Sequence, residues 1–443
     1  MIEGAFPLAY WLRRLRSKLR RTELPGSRDI TNDNMTISER TEATDSLDLS
    51  ADLATNLRSI KEIVGGNFDI GSREILITRD RIRAAIVYLD SLVDPVTIER
   101  ILGHLTMGTF AIEREGAEVQ PLDTAIRDIL ISEKGLQEVD TFSALWRKVS
   151  MGDTGLLVDG HSRAFVIDSK GWHSRAVEES SSEPVIRGPR DGFIESLAVN
   201  VSLIRRRIRT PHLHAKALTI GKLTQTDVVY MYIKGLASMD LVEEVRSRLE
   251  CIDIDSVLGS GYLEDFIEDT PFTLFPLVLN TQRPDRVAAD LLEGKVAILV
   301  ENSPEVVVVP ATLNAMLQAP DDYYERATFG SFIRIAAYVG AIILPGTYVA
   351  IVNFHTELLP TALLLRISAS REGIPFPVVA EILIMEFLFE VLREAGVRLP
   401  RAIGSAVSIV GALILGDAAI TAGLVSPAVV IIVALTAIAS FSA

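Results

Sequence analysis

The stretch IAAYVGAIILPGTYVAIVNF, Ile335 to Phe354, contains no charged residue. Twenty residues at ~1.5 Å rise per residue are long enough for a helix to cross a ~30 Å hydrocarbon core. Farther on, residues Ala402 to Ala443 carry a single charge, Asp417. Neither stretch shows the period-2 alternation of a barrel strand, and lipid requires a helix or a closed barrel. The sequence therefore predicts membrane helices in its last part.

The charge of the chain is uneven. Residues 329–443 contain no lysine, 6 arginines and 7 acidic residues, whereas residues 1–328 carry the remaining 38 basic and 51 acidic residues. This pattern indicates an acidic soluble part followed by a membrane part. An acidic soluble part argues against nucleic acid as a partner, because phosphate contacts need clustered Lys and Arg. A single cysteine, Cys251, excludes an internal disulfide framework.

The N-terminal residues 1–50 are interpreted as a basic segment and a polar linker. The segment mixes apolar side chains with arginines and could lie on an anionic lipid surface, or it could be a disordered tail. No apolar core with a small-residue cleavage site follows the basic residues, so no secretory signal is predicted. We expect the soluble part to be cytoplasmic.

Two α/β subdomains are expected before the membrane part, at residues 51–185 and 186–328. Leu53, Leu57, Ile60 and Val64 recur at helical spacing, which predicts a helix that ends at Gly65-Gly66. Farther along, the segments 155–159 and 164–168 are typical of a hairpin. Helices and strands alternate in the second subdomain as well, which favours the same class of fold.

Residues 329–443 are predicted to form an α-helical multi-spanning membrane domain. Four helices are expected, at about 329–354, 377–394, 402–423 and from 427 onward, with a polar stretch at 355–376. An arginine-rich loop near Arg398 and Arg401 would then be cytoplasmic, in agreement with the positive-inside rule. The last helix ends without a charged or aromatic anchor, so a continuation beyond residue 443 is expected.

Enzyme motifs are incomplete. The sequence has no GxxxxGK[ST] phosphate loop and no HExxH motif. Gly259–Glu264 begins like a dinucleotide loop but lacks the third glycine. His212 and His214 form an HxH pair without a neighbouring carboxylate or thiol ligand set. A non-enzymatic protein without a cofactor is therefore predicted.

Acidic residues inside the predicted membrane helices mark candidate functional positions, because ionisable groups in lipid are costly, ~2.5–3.5 kcal/mol each. Glu386 and Glu390 share one helix face, while Glu381 points to the opposite side. Carboxylate rings attract cations, so Glu381, Glu386, Glu390 and Asp417 are candidates for an ion path. The alternative is that they serve packing or pairing.

Small residues recur at four-residue steps in the predicted third membrane helix: Gly404, Ser408, Ala412 and Gly416. Such a face lets helix backbones approach closely. It predicts close packing, either within one subunit or between subunits.

A set of motifs, taken in order along the chain, resembles the A subunit of the GerA-type spore germination receptors. The motifs are Asn56–Lys61, Arg187–Phe193, Arg283-Pro284-Asp285, Asp322–Arg326, Arg371–Pro377, Leu392–Pro400 and Ala406–Ala412. Position 282 is glutamine where the family usually has glutamate. The family also continues beyond residue 443 with further membrane helices.

The resemblance implies a subunit of a nutrient receptor in the inner membrane of bacterial endospores. It implies a permease-like B subunit, to which ligand sensing is assigned, and a lipoprotein C subunit as partners. It also implies self-association and passage of monovalent cations when germination is triggered. No catalytic residue, metal or cofactor is implied. The alternative function is a non-conducting membrane scaffold whose cytoplasmic domain relays the germination signal to other proteins.

Overall fold

A computed structural model describes residues 47–77, 82–107, 136–171, 188–269, 273, 275–317, 328–398 and 415–442. The chain divides into two compact units, residues 1–312 and 313–443. The short helix Leu313–Leu317 belongs to the second unit, and the expected domain bounds stay predictions.

The first unit contains two five-stranded antiparallel sheets with helices on them. The elements of the first sheet region are α1 (Leu53–Val64), β1 (Ile70–Ile77), β2 (Ile82–Leu89), α2 (Pro95–Met107), β3 (Gln137–Val139), α3 (Phe142–Val149), β4 (Thr154–Val158) and β5 (Ala164–Ile167). The elements of the second are α4 (Leu197–Arg207), β6 (Leu213–Ile220), β7 (Thr226–Ile233), α5 (Met239–Glu250), α6 (Ser260–Ile267), β8 (Leu279–Thr281), α7 (Pro284–Leu292), β9 (Val296–Val300) and β10 (Val306–Val309).

The first sheet is covered by helices on both faces. Alternate residues of β2 point to opposite faces, so Ala85 and Val87 pack with α1 and α3, while Ala84 and Ile86 pack with α2. This explains why β2 is apolar at almost every position. The core on the α1 side also takes in Leu49.

The two sheets have the same topology. Their strand orders are β1-β2-β4-β5-β3 and β6-β7-β9-β10-β8, which are identical when strands are counted within each sheet. We call residues 47–171 the first repeat and residues 193–309 the second repeat. Each begins with a helix, continues with a long hairpin and ends with a second hairpin.

Hydrogen bonds at equivalent positions support this duplication. Asn56 in α1 bonds both the backbone N–H and C=O of Ser50, six residues earlier, and Asn200 in α4 does the same with Ile194. Leu53 N–H donates to Asp159 at 3.2 Å, and Leu197 N–H donates to Glu301 at 2.8 Å. In both repeats, the final hairpin therefore holds the start of the first helix.

The repeats are joined by a buried ion pair. Arg205 of α4 donates from Nε and Nη2 to the two oxygens of Asp69, at 2.9 and 2.8 Å, and from Nη1 to the carbonyl of Leu213. Both side chains are 2% exposed. Phe68 N–H also donates to the carbonyl of Ala215, and Ala215 N–H donates to Asn67. The loop before β1 thus docks on the start of β6.

The second unit is helical throughout the part that the structure describes. Its elements are α8 (Leu313–Leu317), α9 (Thr328–Asn353), a 3-10 turn (Thr356–Leu358), α10 (Thr361–Ser370), α11 (Val378–Arg398) and α12 (Pro427–Ser442). Residues 415–421 are also helical. The polar stretch expected at 355–376 contains α10, since its Thr-Ala-Leu-Leu-Leu-Arg segment has good helix formers. For the same reason α11 extends to Arg398, which was expected in a loop.

One helix among the described residues, Gly330–Asn353, is long and apolar enough to cross a membrane. It covers the stretch that the sequence singled out. The shorter apolar segments Thr361–Ser370 and Pro427–Ser440 do not reach spanning length. A multi-spanning arrangement therefore stays a prediction.

Candidate functional site in the helical unit

The acidic helix α11 packs against α12 and the C-terminal half of α9. Val378, Ile382 and Met385 form one buried face of α11, and Val425, Val429 and Val433 meet them from the start of α12. Tyr348, Val349 and Val352 of α9 pack on the same cluster. The 3.6-residue period of α11 thus turns one side inward and leaves Leu383, Phe387 and Val391 exposed.

Glu381 lies on the inward side of α11 and has no exposed surface. Its Oε1 accepts from Nη2 of Arg371 at 3.2 Å, and its Oε2 accepts from the backbone N–H of Ser426 at 2.8 Å. Ser426 directly precedes α12, whose first N–H groups have no partner inside the helix. Glu381 therefore supplies a negative charge to the start of α12, where the helix dipole favours it. We call Arg371, Glu381 and Ser426 the clasp.

The clasp leaves a polar atom unsatisfied. Arg371 Nε is buried and has no hydrogen-bond partner among the described residues, while the side chains of Tyr348 and Ser426 interact with each other beside it. A buried polar group without a partner is costly, so this small polar region inside the helical unit can change its bonding. Sequence reasoning selected Glu381 but not its partners. The sequence did contain a signal for Ser426, because Ser426-Pro427 is a typical helix start and the first N–H groups of a helix need acceptors.

Glu386 and Glu390 are placed differently from Glu381. They lie one turn apart on the same face of α11, where residues four apart are neighbours. Glu386 is half-buried, and its Oε1 is buried without a hydrogen-bond partner among the described residues. Glu390 is exposed and pairs with Arg393. The structure therefore groups these two carboxylates and assigns Glu381 to a separate contact.

The other sequence candidates lie around residue 416. Asp417 is exposed on the helical residues 415–421. Gly416 is buried, and a Cβ at this position would lie 3.4 Å from Cγ1 of Val430 in α12. This close approach agrees with a packing role for Gly416. Gly404, Ser408 and Ala412 lie outside the described residues.

No group of three or more His, Cys, Asp or Glu side chains that could hold a metal ion occurs in the part of the chain that the structure describes. The carboxylates of α11 are spread along the helix. Their oxygens suit a transient, hydrated cation better than a tightly held ion, which needs several converging ligands. The carboxylates of α11 thus pair with arginines, and one of them holds a helix end.

Residues 58–443 match the family described as Bacillus/Clostridium GerA spore germination protein. The chain therefore belongs to this family of spore germination proteins. The resemblance to the A subunits of germination receptors is confirmed.

Two proteins named as spore germination proteins are similar to this chain over most of its length. Spore germination protein KA of Bacillus subtilis (strain 168) is 44% identical over 398 residues, which cover 89% of this chain and 72% of that protein. Spore germination protein GerLA of Bacillus cereus is 38% identical over 399 residues, which cover 89% of this chain and 80% of that protein.

A crystal structure has been solved for the N-terminal domain of the A subunit of the Bacillus megaterium spore germinant receptor GerK3. It is 33% identical to this chain and covers 60% of it and 97% of that domain, with a TM-score of 0.47.

Proposed function

We propose that this chain is a membrane subunit of a nutrient germinant receptor and forms, as an oligomer, a cation channel that triggers spore germination. Membership in the GerA family supports the receptor role. The observation that carries the channel role is Glu386. Its buried Oε1 is an acceptor without a hydrogen-bond partner among the described residues, and a passing cation would satisfy it. Glu390, one turn farther along, extends this acidic face.

The proposed setting is the spore inner membrane, with the first unit in the cytoplasm and several spans in the membrane. The span Gly330–Asn353 supports membrane attachment. The proposed partners are a permease-like B subunit that senses the nutrient and a lipoprotein C subunit. The names of the similar Bacillus proteins, spore germination proteins KA and GerLA, support a role in germination.

In the resting state of the proposed channel, the clasp holds α11 and the start of α12 together. Glu381 is bonded at both carboxylate oxygens, so it does not serve as a free site for ions in this conformation. Releasing it would free a carboxylate, the Arg371 guanidinium and the first turn of α12 together. A partner that moves α10 or the loop after it would act directly on Arg371.

A second candidate function is a non-conducting membrane scaffold that relays the germination signal. Glu381 is fully buried and paired with Arg371, which favours the scaffold, because a side chain that serves helix packing is expected to be buried and paired. In that case another subunit conducts, and the α11 carboxylates serve helix contacts.

The test is potassium flux through proteoliposomes that hold the full-length chain with its B subunit. We expect the double variant E386Q/E390Q to lower the flux at least tenfold at equal insertion. The variant E372Q is the matched control, since Glu372 is exposed in the loop before α11 and should leave the flux unchanged. Unchanged flux in E386Q/E390Q would overturn the channel path and favour the scaffold.

A further inference from the structure

Basic side chains gather at one end of the second repeat, where the first repeat docks. His214 and Lys216 lie on β6 with one residue between them, so both point to the same face of the sheet. Tyr232, opposite His214 on β7, shares this face, and Lys234 follows β7 directly. We call His214, Lys216, Tyr232 and Lys234 the basic cluster.

His214 is buried in this cluster without hydrogen bonds from its ring. It is 5% exposed, and neither ring nitrogen has a hydrogen-bond partner among the described residues. The ring stacks on Tyr232 with centroids 5.5 Å apart. Burial first, and then the positive charge of Lys216, lower the pKa of His214 to about 3. At neutral pH the imidazole therefore offers one buried N–H donor that nothing in the described protein accepts.

Lys216 crosses from the second repeat to the first. A Cβ built on Gly66 would lie 2.1 Å from Nζ of Lys216, so the absence of a side chain at Gly66 makes room for the ammonium group. Burial, followed by the charge of Lys234, lowers the pKa of Lys216. A carboxylate partner would act in the opposite direction.

Asp69, the buried acidic side chain at the joint, is bonded outside the basic cluster. Asp69 takes two hydrogen bonds from Arg205, and Ser91 approaches it at 3.3 Å. For Asp90, burial and then the charge of Asp69 raise the pKa, and the opposing cation is Arg73 rather than a member of the basic cluster. The chain as a whole carries a net charge of −14. A concentration of basic groups inside an acidic protein, with a buried donor left over, is the environment that an anion requires.

We propose that the basic cluster binds a phosphate-type oxyanion at the joint between the two repeats. The ammonium of Lys216 and the N–H of His214 are the donors, and the ring of Tyr232 holds His214 in place. A tetrahedral oxyanion presents several acceptors and can take both bonds at once. Because Lys216 lies over Gly66, the bound anion would tie the first repeat to the second. The first unit would thus bind a soluble anion at a site separate from that of the nutrient, and the anion would stabilise the contact between the two repeats.

The test uses the full-length chain in detergent micelles and inorganic phosphate as the probe. Binding is measured by calorimetry, and hydrogen exchange is followed in residues 65–69 and 212–216, with sodium chloride at matched ionic strength as the reference. We expect saturable binding and slower exchange in both segments. The substitution Lys216→Gln should weaken binding at least tenfold, as the loss of one charge-assisted bond implies.

The matched control is Lys222→Gln, which removes a lysine of the same β6–β7 hairpin. Lys222 is exposed and pairs with Asp253 at 2.6 Å, so its loss should leave phosphate binding unchanged. His214→Gln is a second variant, which should weaken binding while keeping an amide donor in place. The proposal is overturned if phosphate acts no better than chloride, or if Lys216→Gln binds as the native chain does.

Discussion

The two repeats have one backbone plan but different side chains at the ends of the strands where they meet. The N–H of Asp90 donates to the carbonyl of Asp69 in the first repeat, and the N–H of Lys234 donates to that of His212 in the second. These bonds make Asp69 equivalent to His212 and Asp90 equivalent to Lys234. Two acidic residues of the first repeat therefore stand where the second has His212 and Lys234, whereas the equivalent positions Arg73 and Lys216 are basic in both.

The comparison separates what the fold requires from what the joint requires. Asn56 and Asn200 hold the equivalent segment before the first helix of each repeat, so this contact belongs to the shared fold. Gly71 and His214 occupy equivalent positions opposite Tyr88 and Tyr232. A Cβ on Gly71 would lie 2.4 Å from the Tyr88 ring, whereas His214 stacks on Tyr232. The hairpin ends have thus diverged where the loop before β1 docks on the start of β6.

The largest effect is expected from breaking the ion pair that joins the repeats. Arg205→Ala leaves Asp69 buried and uncompensated, which should cost ~3–5 kcal/mol. The measurement is the opening free energy of β1 and β6 from native-state hydrogen exchange of the full chain. Lys61→Ala, at the equivalent but exposed position of α1, is the control and should change little. Equal losses in the two variants would contradict the special role of the joint.

A smaller and equal effect is expected from the paired asparagines. Asn56→Ala and Asn200→Ala each remove two hydrogen bonds to one backbone segment, at a cost of about 1–3 kcal/mol. Hydrogen exchange of α1 and α4 measures each loss in its own repeat. Glu62→Ala, at an exposed position of the same helix, serves as a control for the α1 variant. If replacing one asparagine leaves the opening free energy of its helix unchanged, the two equivalent contacts have the same geometry but contribute differently to stability.

The smallest effect is expected from the charge of Asp90. Its pKa is raised by burial and by Asp69, so its ionised form destabilises the fold at neutral pH. Asp90→Asn should therefore raise the melting temperature slightly at pH 7. The gain should disappear as the pH falls below the ordinary carboxyl value of ~3.9, where Asp90 is protonated in both states. Thermal scans across this pH range check the sign, and a variant less stable at pH 7 would contradict it.

Much of the first unit could be predicted from local pattern. The hairpin β4–β5, the helix faces and the apolar strands depend on neighbours in sequence, so periodicity reveals them. The duplication was harder to see, although Leu53-Ala54-Thr55-Asn56 and Leu197-Ala198-Val199-Asn200 carry a trace of it. Buried positions tolerate exchange among apolar residues, so a repeat can keep its topology and lose its sequence identity.

The candidate site was predicted only in part. Local sequence indicated that Glu386 and Glu390 share a face of α11. It could not indicate the partner of Glu381, because the N–H of Ser426 is 45 residues away and the contact exists only when α11 and α12 pack. The joint between the repeats was missed for the same reason, since Asp69 and Arg205 are 136 residues apart.

The way each repeat closes has a consequence for synthesis. The first helix of each repeat donates a backbone N–H to a carboxylate in the last hairpin, more than 100 residues later. During synthesis on the ribosome, the hydrogen bond at the start of α1 can form only after Asp159 has been made. The bond at the start of α4 likewise needs Glu301. Long-range closure of this kind slows folding. Each repeat therefore becomes complete only as its final hairpin emerges, and the first can be finished before the second has been made.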